Sequence, residues 1–556
     1  MSGKYLGGIK MNYNKIWKRI ATTALASSMV MGCLTGCGDT TKETQVVESV
    51  TTESNVVESV EPTPEPVPEV ANLTYWCELQ NSKTLLTNLG EMPIIQEASE
   101  KTYVNLEFLH PATTAKEQFN LMMASGDYED IMEYNWSAYP GGPTQAIADG
   151  VIVDLKPYID KGLAPNFKKI LDENPEIAKQ ITTDEGEIYA FPPIGDDSVN
   201  VTGGFIFRQD MLEKVGMKAP ETIAEWEAVL TAFKEQLGVE KPLTGQTKVL
   251  IGANSYIAGA FDTFSGYYIR DGKVQYGFMD AGYKDYITTM NKWYEAGLID
   301  QEIFGNDGKA QNANLLNDRS GVVYGFIGGG IGTLTNNAAE TNPSFKLVGV
   351  NFPVLKAGQT IRFMARTWDV RTTANAAITT ACEDVEAAIR YLDFWYSEEG
   401  QIMKNFGTEG LSYNMVNGYP TYTDLILNNP DGHAIDAALG GYTRAAQPSV
   451  GIIDRRYYEQ YYVLPEQVDA MILWNENADN AVDVLMPTVT PTSEESEELA
   501  VIEGAITTYV EEELTKFIMG LRDMSEYDSF VETLKGMNID KAIAIRQAAY
   551  DRYNAR

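Results

Sequence analysis

The chain has 556 residues, of which 78 are acidic and 43 are Lys or Arg, giving a formal net charge of −35 at pH 7. Affinity for nucleic acid and for anionic lipid surfaces comes largely from Lys and Arg, so this charge argues against both as partners. A chain of this length exceeds what one hydrophobic core supports, and we expect two lobes.

The N-terminus predicts a secretory signal peptide over residues 1–36. A basic patch over residues 15–19 precedes an apolar run over residues 20–34, which is shorter than the roughly 20 apolar residues that span a bilayer. Leu34-Thr35-Gly36-Cys37 then resembles a bacterial lipobox, whose cysteine is diacylated and becomes the mature N-terminus. We expect Cys37 to anchor the protein on the extracytoplasmic face of the cell membrane. An uncleaved anchor helix is the alternative.

Residues 37–70 have the composition of a disordered linker. They are rich in Thr, Glu, Val, Ser and Pro, contain no aromatic residue, and repeat Val-Val-Glu-Ser-Val at residues 46–50 and 56–60. Nothing here can seed a core, so we predict an extended coil with a span of roughly 30 Å. Such a linker would hold a folded body near the membrane and leave it free to turn.

From residue 71 onward the pattern is mixed α/β. We predict strands over residues 73–76 and 104–108, and helices over residues 115–125, 221–236, 283–296 and 384–406. Residues 493–553 predict three further helices, opened by the cap-like Thr492-Ser493-Glu494-Glu495. The alternation indicates α/β lobes with mostly parallel strand pairing.

Cysteine and histidine usage offers little support for metal or nucleophilic chemistry. After signal removal and lipidation of Cys37, the remaining cysteines are Cys77 and Cys382. We favour two buried free thiols, and one disulfide stays open. His110 at a strand end and His433 in a turn both read as surface or loop histidines. With no Cys/His cluster and no EF-hand pattern, we expect neither a metal site nor a cofactor.

Other enzyme signals are equally weak. The run Gly328-Gly329-Gly330-Ile331-Gly332-Thr333 lacks the Lys of a phosphate-binding loop, so it predicts a close backbone approach beside a cleft. The many acidic residues give accidental carboxylate pairs, so glycoside hydrolysis stays an open alternative.

Aromatic residues in loop contexts favour sugar recognition. Examples are Tyr134-Asn135-Trp136 and Arg366-Thr367-Trp368-Asp369. Aromatic faces stack on the C–H faces of sugar rings, while Arg, Asp, Asn and Glu hydrogen-bond the hydroxyl edges. A cleft with a few polar groups among aromatic rings is the general form of a small-ligand site.

Short motifs follow one another through the body of the chain. They include Gly150-Val151-Ile152-Val153-Asp154-Leu155, Gly186-Glu187-Ile188-Tyr189-Ala190-Phe191-Pro192, Phe207-Arg208-Gln209-Asp210-Met211-Leu212, Pro220-Glu221-Thr222-Ile223-Ala224-Glu225-Trp226 and Phe406-Gly407-Thr408-Glu409-Gly410-Leu411-Ser412-Tyr413. In this order, from about residue 71 to the C-terminus, they resemble the extracellular solute-binding proteins of ABC sugar importers (family 1), especially the large lipoprotein subgroup of Firmicutes.

The resemblance implies an α/β, two-lobed periplasmic-binding-protein-like (type II) fold with an inter-lobe cleft. It places hinge crossings near residues 193–203, 365–369 and 442–449. The implied lobes are discontinuous: lobe 1 over residues 71–198 plus 370–445, and lobe 2 over residues 199–369 plus 446–556. Relatives often carry a calcium loop where this chain has Gln236-Leu237-Gly238-Val239-Glu240-Lys241-Pro242, so calcium is not expected here.

The function implied is capture of a carbohydrate, an oligosaccharide above all, and its delivery to the transmembrane subunits of an ABC permease. The protein would be a monomer and not an enzyme. Two alternatives remain: a surface glycoside hydrolase or lyase, and a peptide-binding or sensor-presenting protein of the same fold. The acidic charge of the chain mildly disfavours a uronate, but Arg366, Arg371 or Arg444 could bind its carboxylate, so whether the sugar is neutral or a uronate stays open.

Loop position and side-chain chemistry predict the ligand contacts, with Arg366 as the main hydroxyl partner. The predicted contacts are Trp76, Glu78, Asn135, Trp136, Phe326, Arg366, Trp368, Asp369 and Tyr413. For each aromatic residue in this set, ordinary packing is an equal alternative. For the tryptophans on helical stretches, packing is favoured: Trp226, Trp293, Trp395 and Trp474.

Overall fold

The computed structural model describes residues 68–195, 199–339, 341–445 and 447–556. The predicted signal peptide (residues 1–36), the lipidated Cys37 and the linker up to residue 67 lie outside the described residues. Among the described helices, none combines the length and the hydrophobicity that a membrane-spanning segment requires.

The strands are β1 (Ala71–Trp76), β2 (Val104–Leu109), β3 (Ile131–Tyr134), β4 (Pro193–Ile194), β5 (Gly203–Arg208), β6 (Tyr267–Arg270), β7 (Lys273–Tyr276), β8 (Val322–Phe326), β9 (Leu347–Val350), β10 (Asn375–Ile378), β11 (Tyr413–Val416), β12 (Tyr419–Tyr422) and β13 (Gly451–Ile452). The helices up to the middle of the chain are α1 (Pro93–Thr102), α2 (Ala115–Ser125), α3 (Gly142–Ala148), α4 (Lys156–Asp160), α5 (Pro165–Glu173), α6 (Pro175–Ile181), α7 (Gln209–Val215), α8 (Ile223–Leu237), α9 (Thr247–Leu250), α10 (Ala281–Glu295), α11 (Gly308–Leu316) and α12 (Thr333–Ala338). The later helices are α13 (Val385–Phe394), α14 (Glu398–Phe406), α15 (Asp424–Leu427), α16 (Ile435–Tyr442), α17 (Arg455–Tyr461), α18 (Pro465–Asn475), α19 (Ser493–Ile518), α20 (Tyr527–Gly536) and α21 (Ile539–Ala555).

Lobe 1 is built on the N-terminal sheet, whose strand order is β10-β3-β1-β2. β1 pairs in parallel with both β2 and β3, and β10 is antiparallel to β3. Alternate residues of β1 enter different cores, as a pleated strand requires: Tyr75 packs in a core with Ile95 and Leu392, and Trp76 packs in a second core with Phe119. Both faces of the sheet are therefore buried.

Lobe 2 is built on the central sheet, whose order is β8-β5-β9. Both neighbours of β5 run antiparallel to it, with Gly203 opposite Phe326 and Phe205 opposite Val350. The prediction of mostly parallel pairing is therefore wrong for this sheet. Hydrophobic periodicity identifies a strand but carries no information on the direction of its partner, which the long connections between strands decide.

Three chain segments run side by side where the two cores meet. β4 pairs in parallel with β13, Ile194 bridges antiparallel to Val370, and Val201 bridges antiparallel to Arg366. The Thr367 amide also donates to the carbonyl of Asn200 at 3.0 Å. Two of these segments lie where crossings were predicted, near residues 193–203 and 365–369. The third pairs at residues 451–452, just beyond the predicted stretch 442–449.

The predicted helix over residues 384–406 is interrupted. It forms α13 and α14, because the Ser397 hydroxyl accepts a hydrogen bond from the Gly400 amide at 3.0 Å and starts a new helix. The three C-terminal helices are confirmed as α19, α20 and α21. The predicted cap at Thr492 is a capping box with Glu495.

The predicted lobe boundaries stay a prediction. The large core around the central sheet includes Phe406 and Leu439, from the stretch that the prediction assigns to lobe 1. In that same stretch, α16 packs against the 3₁₀ turn Gln80–Thr84, which follows β1. Side chains between residues 406 and 445 thus contact both halves of the molecule.

The packing prediction for the helical tryptophans is confirmed, since Trp226, Trp293, Trp395 and Trp474 are all buried. The position of Trp474 explains why residue 204, in β5, is a glycine. A Cβ at residue 204 would lie 2.5 to 2.9 Å from three atoms of the Trp474 indole, whose Nε1 donates to the Val350 carbonyl at 3.0 Å. The indole therefore lies directly on the backbone of the central sheet.

We expect Gly204→Ala to lower the free energy of unfolding by about 1–3 kcal/mol, because the new methyl group overpacks a buried site. Gly504→Ala is the matched control: it lies within α19, a Cβ there meets no atom within 4 Å, and the change should be neutral or stabilising. Urea denaturation measures both variants. Equal stability of the two would contradict this account of the Trp474 contact.

Candidate functional site

The clearest candidate for a ligand contact is Phe326, the last residue of β8. Its side chain is 57% exposed, although large apolar side chains are normally buried. Across the strand pair it faces Gly203, where a Cβ would lie 3.1 Å from Phe326 Cδ1. One side of the ring therefore lies close to a bare backbone, and its edge meets the Tyr324 ring at a centroid distance of 6.3 Å.

The glycine-rich run after Phe326 forms a π-helical turn, Ile327–Gly332, that leads into α12. Its glycines permit close approaches, as predicted. A Cβ at Gly328 would collide with the Tyr461 hydroxyl, and one at Gly330 would lie 2.8 Å from Ile206 Cδ1. At Gly329, by contrast, a Cβ would meet no atom within 4 Å. The turn thus packs against lobe 2 on one side and is open at Gly329.

A cavity of about 470 Å³ opens beside Phe326 and this turn. Its size is typical of small-ligand sites. The lining includes aromatic, aliphatic and backbone atoms and one carboxylate, that of Asp307. Its other polar side chains are amides and amines: Gln246, Lys248, Asn254, Lys309, Gln311 and Asn312. These groups can donate and accept hydrogen bonds with a hydroxyl-rich molecule, while the phenyl ring offers an apolar face.

The predicted residues of the second crossing lie together. The Arg366 guanidinium lies over the Trp368 ring at 5.6 Å from the centroid, and the Trp368 Nε1 donates to the Met486 carbonyl at 3.1 Å. The Asp369 carbonyl accepts from the Gly195 amide at 2.6 Å. Trp368 also lines a second cavity, of about 430 Å³, together with Tyr550.

Strand pairing brings Arg366 close to Phe326. Arg366 is opposite Val201 and Phe326 is opposite Gly203, so both neighbour the same three-residue stretch of chain. Two residues of extended chain span about 7 Å. The Phe326 cavity therefore lies beside the crossing between the lobes.

The predicted contacts from lobe 1 lie at the carboxyl ends of β1 and β3. Glu78 is exposed just after β1, and the Asn135 side chain caps a short 3₁₀ turn by accepting from the Ser137 amide at 3.1 Å. Trp76 is buried with its ring 5.7 Å from that of Tyr134. Trp136 is fully buried, and its Nε1 donates to the Met132 carbonyl at 3.3 Å.

Tyr413, at the start of β11, is buried against Phe406 with the ring centroids 6.1 Å apart. It lines neither large cavity. Packing thus accounts for Trp76, Trp136 and Tyr413 in this conformation, and the ligand roles of all nine residues stay predictions.

Sequence reasoning did not single out Lys248, Asn254, Lys309 or Gln311 in the cavity wall. They come from α9, α11 and the loop after α9, about sixty positions apart in sequence. Only the fold brings these segments to one cavity, and no spacing rule predicts that neighbourhood. The one sequence signal that could have indicated this site is the clustering of amide side chains and lysines near the ends of α9 and α11.

His110 and Arg444 both interact with other groups of the protein. His110 is half-buried, with Nδ1 2.8 Å from the Cys77 carbonyl and Nε2 accepting from the Leu89 amide at 3.2 Å, and burial lowers its pKa. Arg444 is buried in an ion pair with Glu133 at 2.7 Å, which removes it from the candidates for binding a ligand carboxylate.

Cys77 and Cys382 are both buried and free of any disulfide, as favoured from the sequence. Across the described ranges, no group of three or more His, Cys, Asp or Glu side chains is placed to hold a metal ion. Residues 236–242 stand where relatives often carry a calcium loop. In this stretch the Lys241 ammonium lies 3.0 Å from the buried Asp300 carboxylate.

Two α/β lobes, three crossing segments and a polar cavity with an exposed ring beside the crossings define a two-lobed solute-binding protein. The family model of the bacterial extracellular solute-binding proteins matches residues 90–402. The chain belongs to this family.

Individual relatives are similar over most of the chain. The fructooligosaccharide ABC transporter substrate-binding protein FusA of Streptococcus pneumoniae is 25% identical over 518 residues, which are 86% of this chain and 92% of FusA. Lipoprotein LipO of Bacillus subtilis is 24% identical over 368 residues, 63% of this chain and 67% of LipO. The crystal structure of the alginate-binding protein AlgQ2 without calcium ion is 25% identical, with a TM-score of 0.72, and the match covers 87% of this chain and 99% of AlgQ2.

Proposed function

We propose that this protein is the substrate-binding lipoprotein of an ABC transporter, and that it binds an oligosaccharide between its lobes and delivers it unaltered to a membrane permease. The observation that carries this proposal is the exposed Phe326 ring beside the amide-lined 470 Å³ cavity at the crossings. An aromatic face next to several hydrogen-bonding side chains matches the two surfaces of a sugar ring.

The names of the relatives support a carbohydrate ligand. FusA is named for fructooligosaccharides and AlgQ2 for alginate, and both match this chain over more than four fifths of its length. LipO is named as a lipoprotein, in agreement with the lipobox-like sequence that ends at Cys37. We propose a monomer anchored by lipid on the extracytoplasmic face of the membrane, with ABC transmembrane subunits as its partners.

Ligand capture would proceed by closure of the lobes. A sugar that contacts Phe326 in lobe 2 and the carboxyl ends of β1 and β3 in lobe 1 binds both lobes only when they are close together. The ligand therefore shifts the equilibrium towards the closed form. Within the proposal, Glu78 and Asn135 meet the ligand from lobe 1, and Arg366 and Asp369 meet it from the crossing.

Thermal unfolding with a panel of oligosaccharides tests the function, because a ligand that binds only the folded state raises the unfolding temperature. Chromatography of the same sugars after incubation tests for chemical change. We expect a concentration-dependent thermal shift with at least one oligosaccharide and full recovery of that sugar. Release of shorter products would instead support a glycoside hydrolase or lyase, and a shift with peptides alone would support the peptide-binding alternative.

We expect Phe326→Ala to weaken sugar binding by roughly tenfold to a hundredfold, the equivalent of about 1.5–3 kcal/mol for loss of an aromatic contact. Isothermal titration calorimetry measures this change. Phe326→Trp keeps an aromatic face and should retain binding, and Leu521→Ala removes an exposed apolar side chain that lines neither large cavity. Unchanged affinity in Phe326→Ala would show that the phenyl ring does not contact the sugar.

A further inference from the structure

The candidate site contains lysines without ion-pair partners in a strongly acidic protein. Lys248 and Lys309 both line the Phe326 cavity and are exposed, and among the described residues neither ammonium lies within ion-pair distance of a carboxylate. The acidic side chain in the cavity wall, Asp307, uses Oδ1 to accept a hydrogen bond from the Ala310 amide at 2.8 Å and so caps α11. The cavity thus carries more positive than negative charge, against a net charge of −35 for the chain.

A second pair of cations lies at the crossing. The Nε of Arg366 and the Nη1 of Arg371 are buried and have no hydrogen-bond partner within the described ranges. The guanidinium of Arg371 faces Gly195, where a Cβ would lie 2.5 Å from Nη2. Asp369 lies near Arg371 and offsets part of its charge, while burial and the neighbouring Arg366 lower the pKa of Arg371. Buried donors without acceptors are costly, so a ligand acceptor would stabilise them.

The crossing cations lie near the region that the lysines line. Arg366 and Phe326 flank the stretch of residues 201–203, and Phe326, with Tyr324, lines the cavity that contains Lys248 and Lys309. Arg371 is close enough to Arg366 for the two charges to interact. Two basic positions along one binding region suit a ligand that carries negative charge at more than one point. Planar guanidinium groups match carboxylates by paired hydrogen bonds, and ammonium groups bind them as point charges.

From this arrangement we infer that the ligand is an acidic oligosaccharide, with uronate-type carboxylates bound by Lys248 and Lys309 in the cavity and by Arg366 and Arg371 at the crossing. The inference rests on the proposed function and deepens it by naming the substrate class. Carboxylates would convert the excess positive charge of the cavity into affinity. They would also supply acceptors for the Arg366 and Arg371 donors that have no hydrogen-bond partner within the described ranges.

The experiment uses Gly329, which borders the cavity and has open space at its Cβ position. Gly329→Asp adds a carboxylate to the cavity, and Gly329→Asn adds the same bulk without the charge. The ligands are tetramers of galacturonate, mannuronate and glucuronate, each with its methyl ester, and neutral tetramers of galactose and fructose. Isothermal titration calorimetry at low and high NaCl measures the affinities.

We expect at least one uronate tetramer to bind about tenfold or more tightly than its methyl ester, and added NaCl to weaken it. Gly329→Asp should lower the affinity for that uronate tetramer about tenfold, and Gly329→Asn should lower it by less than about threefold. The double variant Lys248→Gln/Lys309→Gln should weaken it by roughly tenfold to a hundredfold. Its control, Lys218→Gln/Lys356→Gln, removes the same charge from exposed lysines outside the cavity and should leave affinity unchanged.

If neutral tetramers bind as tightly as the acidic ones, and Gly329→Asp and Gly329→Asn change the affinity equally, the inference of an acidic ligand is wrong. The proposed function would then remain in place. If none of these acidic, esterified or neutral oligosaccharides binds, both the acidic ligand and oligosaccharide capture fail.

Discussion

Replacing Glu133 with Gln should lower the free energy of unfolding by about 3–5 kcal/mol, one of the two largest effects expected in this protein. Glu133 is buried on β3, where its carboxylate pairs with Arg444 at 2.7 Å and accepts from the Tyr75 hydroxyl at 2.8 Å. It also accepts from the Val450 amide at 3.3 Å, next to the third crossing. The variant keeps the shape of the side chain but leaves Arg444 and the buried Lys404 without their counter-charge.

The matched control is Glu532→Gln. Glu532 pairs with Lys535 at 2.8 Å on the surface, where both side chains are largely exposed, and exposed pairs contribute about 0–1 kcal/mol. Urea denaturation followed by circular dichroism measures both variants. A loss of less than about 1 kcal/mol in Glu133→Gln would show that this buried pair does not stabilise lobe 1.

The second large effect is a pH dependence that originates at Lys404. Its side chain is fully buried and donates to the carbonyls of Ser449 at 2.8 Å and Gly451 at 2.9 Å, beside the third crossing. Burial, and then the nearby Arg444, lower the pKa of Lys404 to about 7, while Glu133 acts in the opposite direction. In the unfolded chain the same ammonium titrates near its ordinary value of about 10.4.

Between about pH 7 and pH 10 the unfolded chain therefore binds a proton that the folded protein has released. Stability rises with pH in this window, by up to about 1.4 kcal/mol per pH unit from this residue, and the gain is lost as the pH falls towards 7. Denaturation at several pH values should show a flatter dependence for Lys404→Met than for the unchanged protein. Lys535→Met, which removes a surface ammonium, should leave the slope as it is, and parallel slopes for all three proteins would rule out a lowered pKa at Lys404.

Local sequence patterns predicted the elements better than the contacts between them. Helix α2 spans residues 115–125, as predicted, and the tail divides into three helices after the Thr492 capping box. The single helix predicted over residues 384–406 was wrong, since the Ser397 hydroxyl caps a second helix, α14, within that range. Periodicity records which face is buried, and capping side chains decide where a helix begins.

The candidate site was predictable only in part. Phe326 ends β8 and precedes a glycine run, and its exposed side chain lines a cavity, while its ligand role stays a prediction. Trp136 has an equally suggestive loop context, yet it is fully buried against Phe119 at a ring distance of 5.4 Å. A loop position does not indicate which way an indole points, because neighbouring side chains from other elements determine its burial.

From the sequence alone followed the overall charge, two strands of the first sheet, several helices including the three C-terminal ones, and the family resemblance with the crossings it implies. These properties depend on composition and on patterns within short windows. The antiparallel pairing of the central sheet, the burial of Arg444 with Glu133, and the presence of Lys248, Lys309 and Phe326 in one cavity became evident only in the folded chain. Each of these unites residues from distant segments, and the packing of the whole chain selects such contacts.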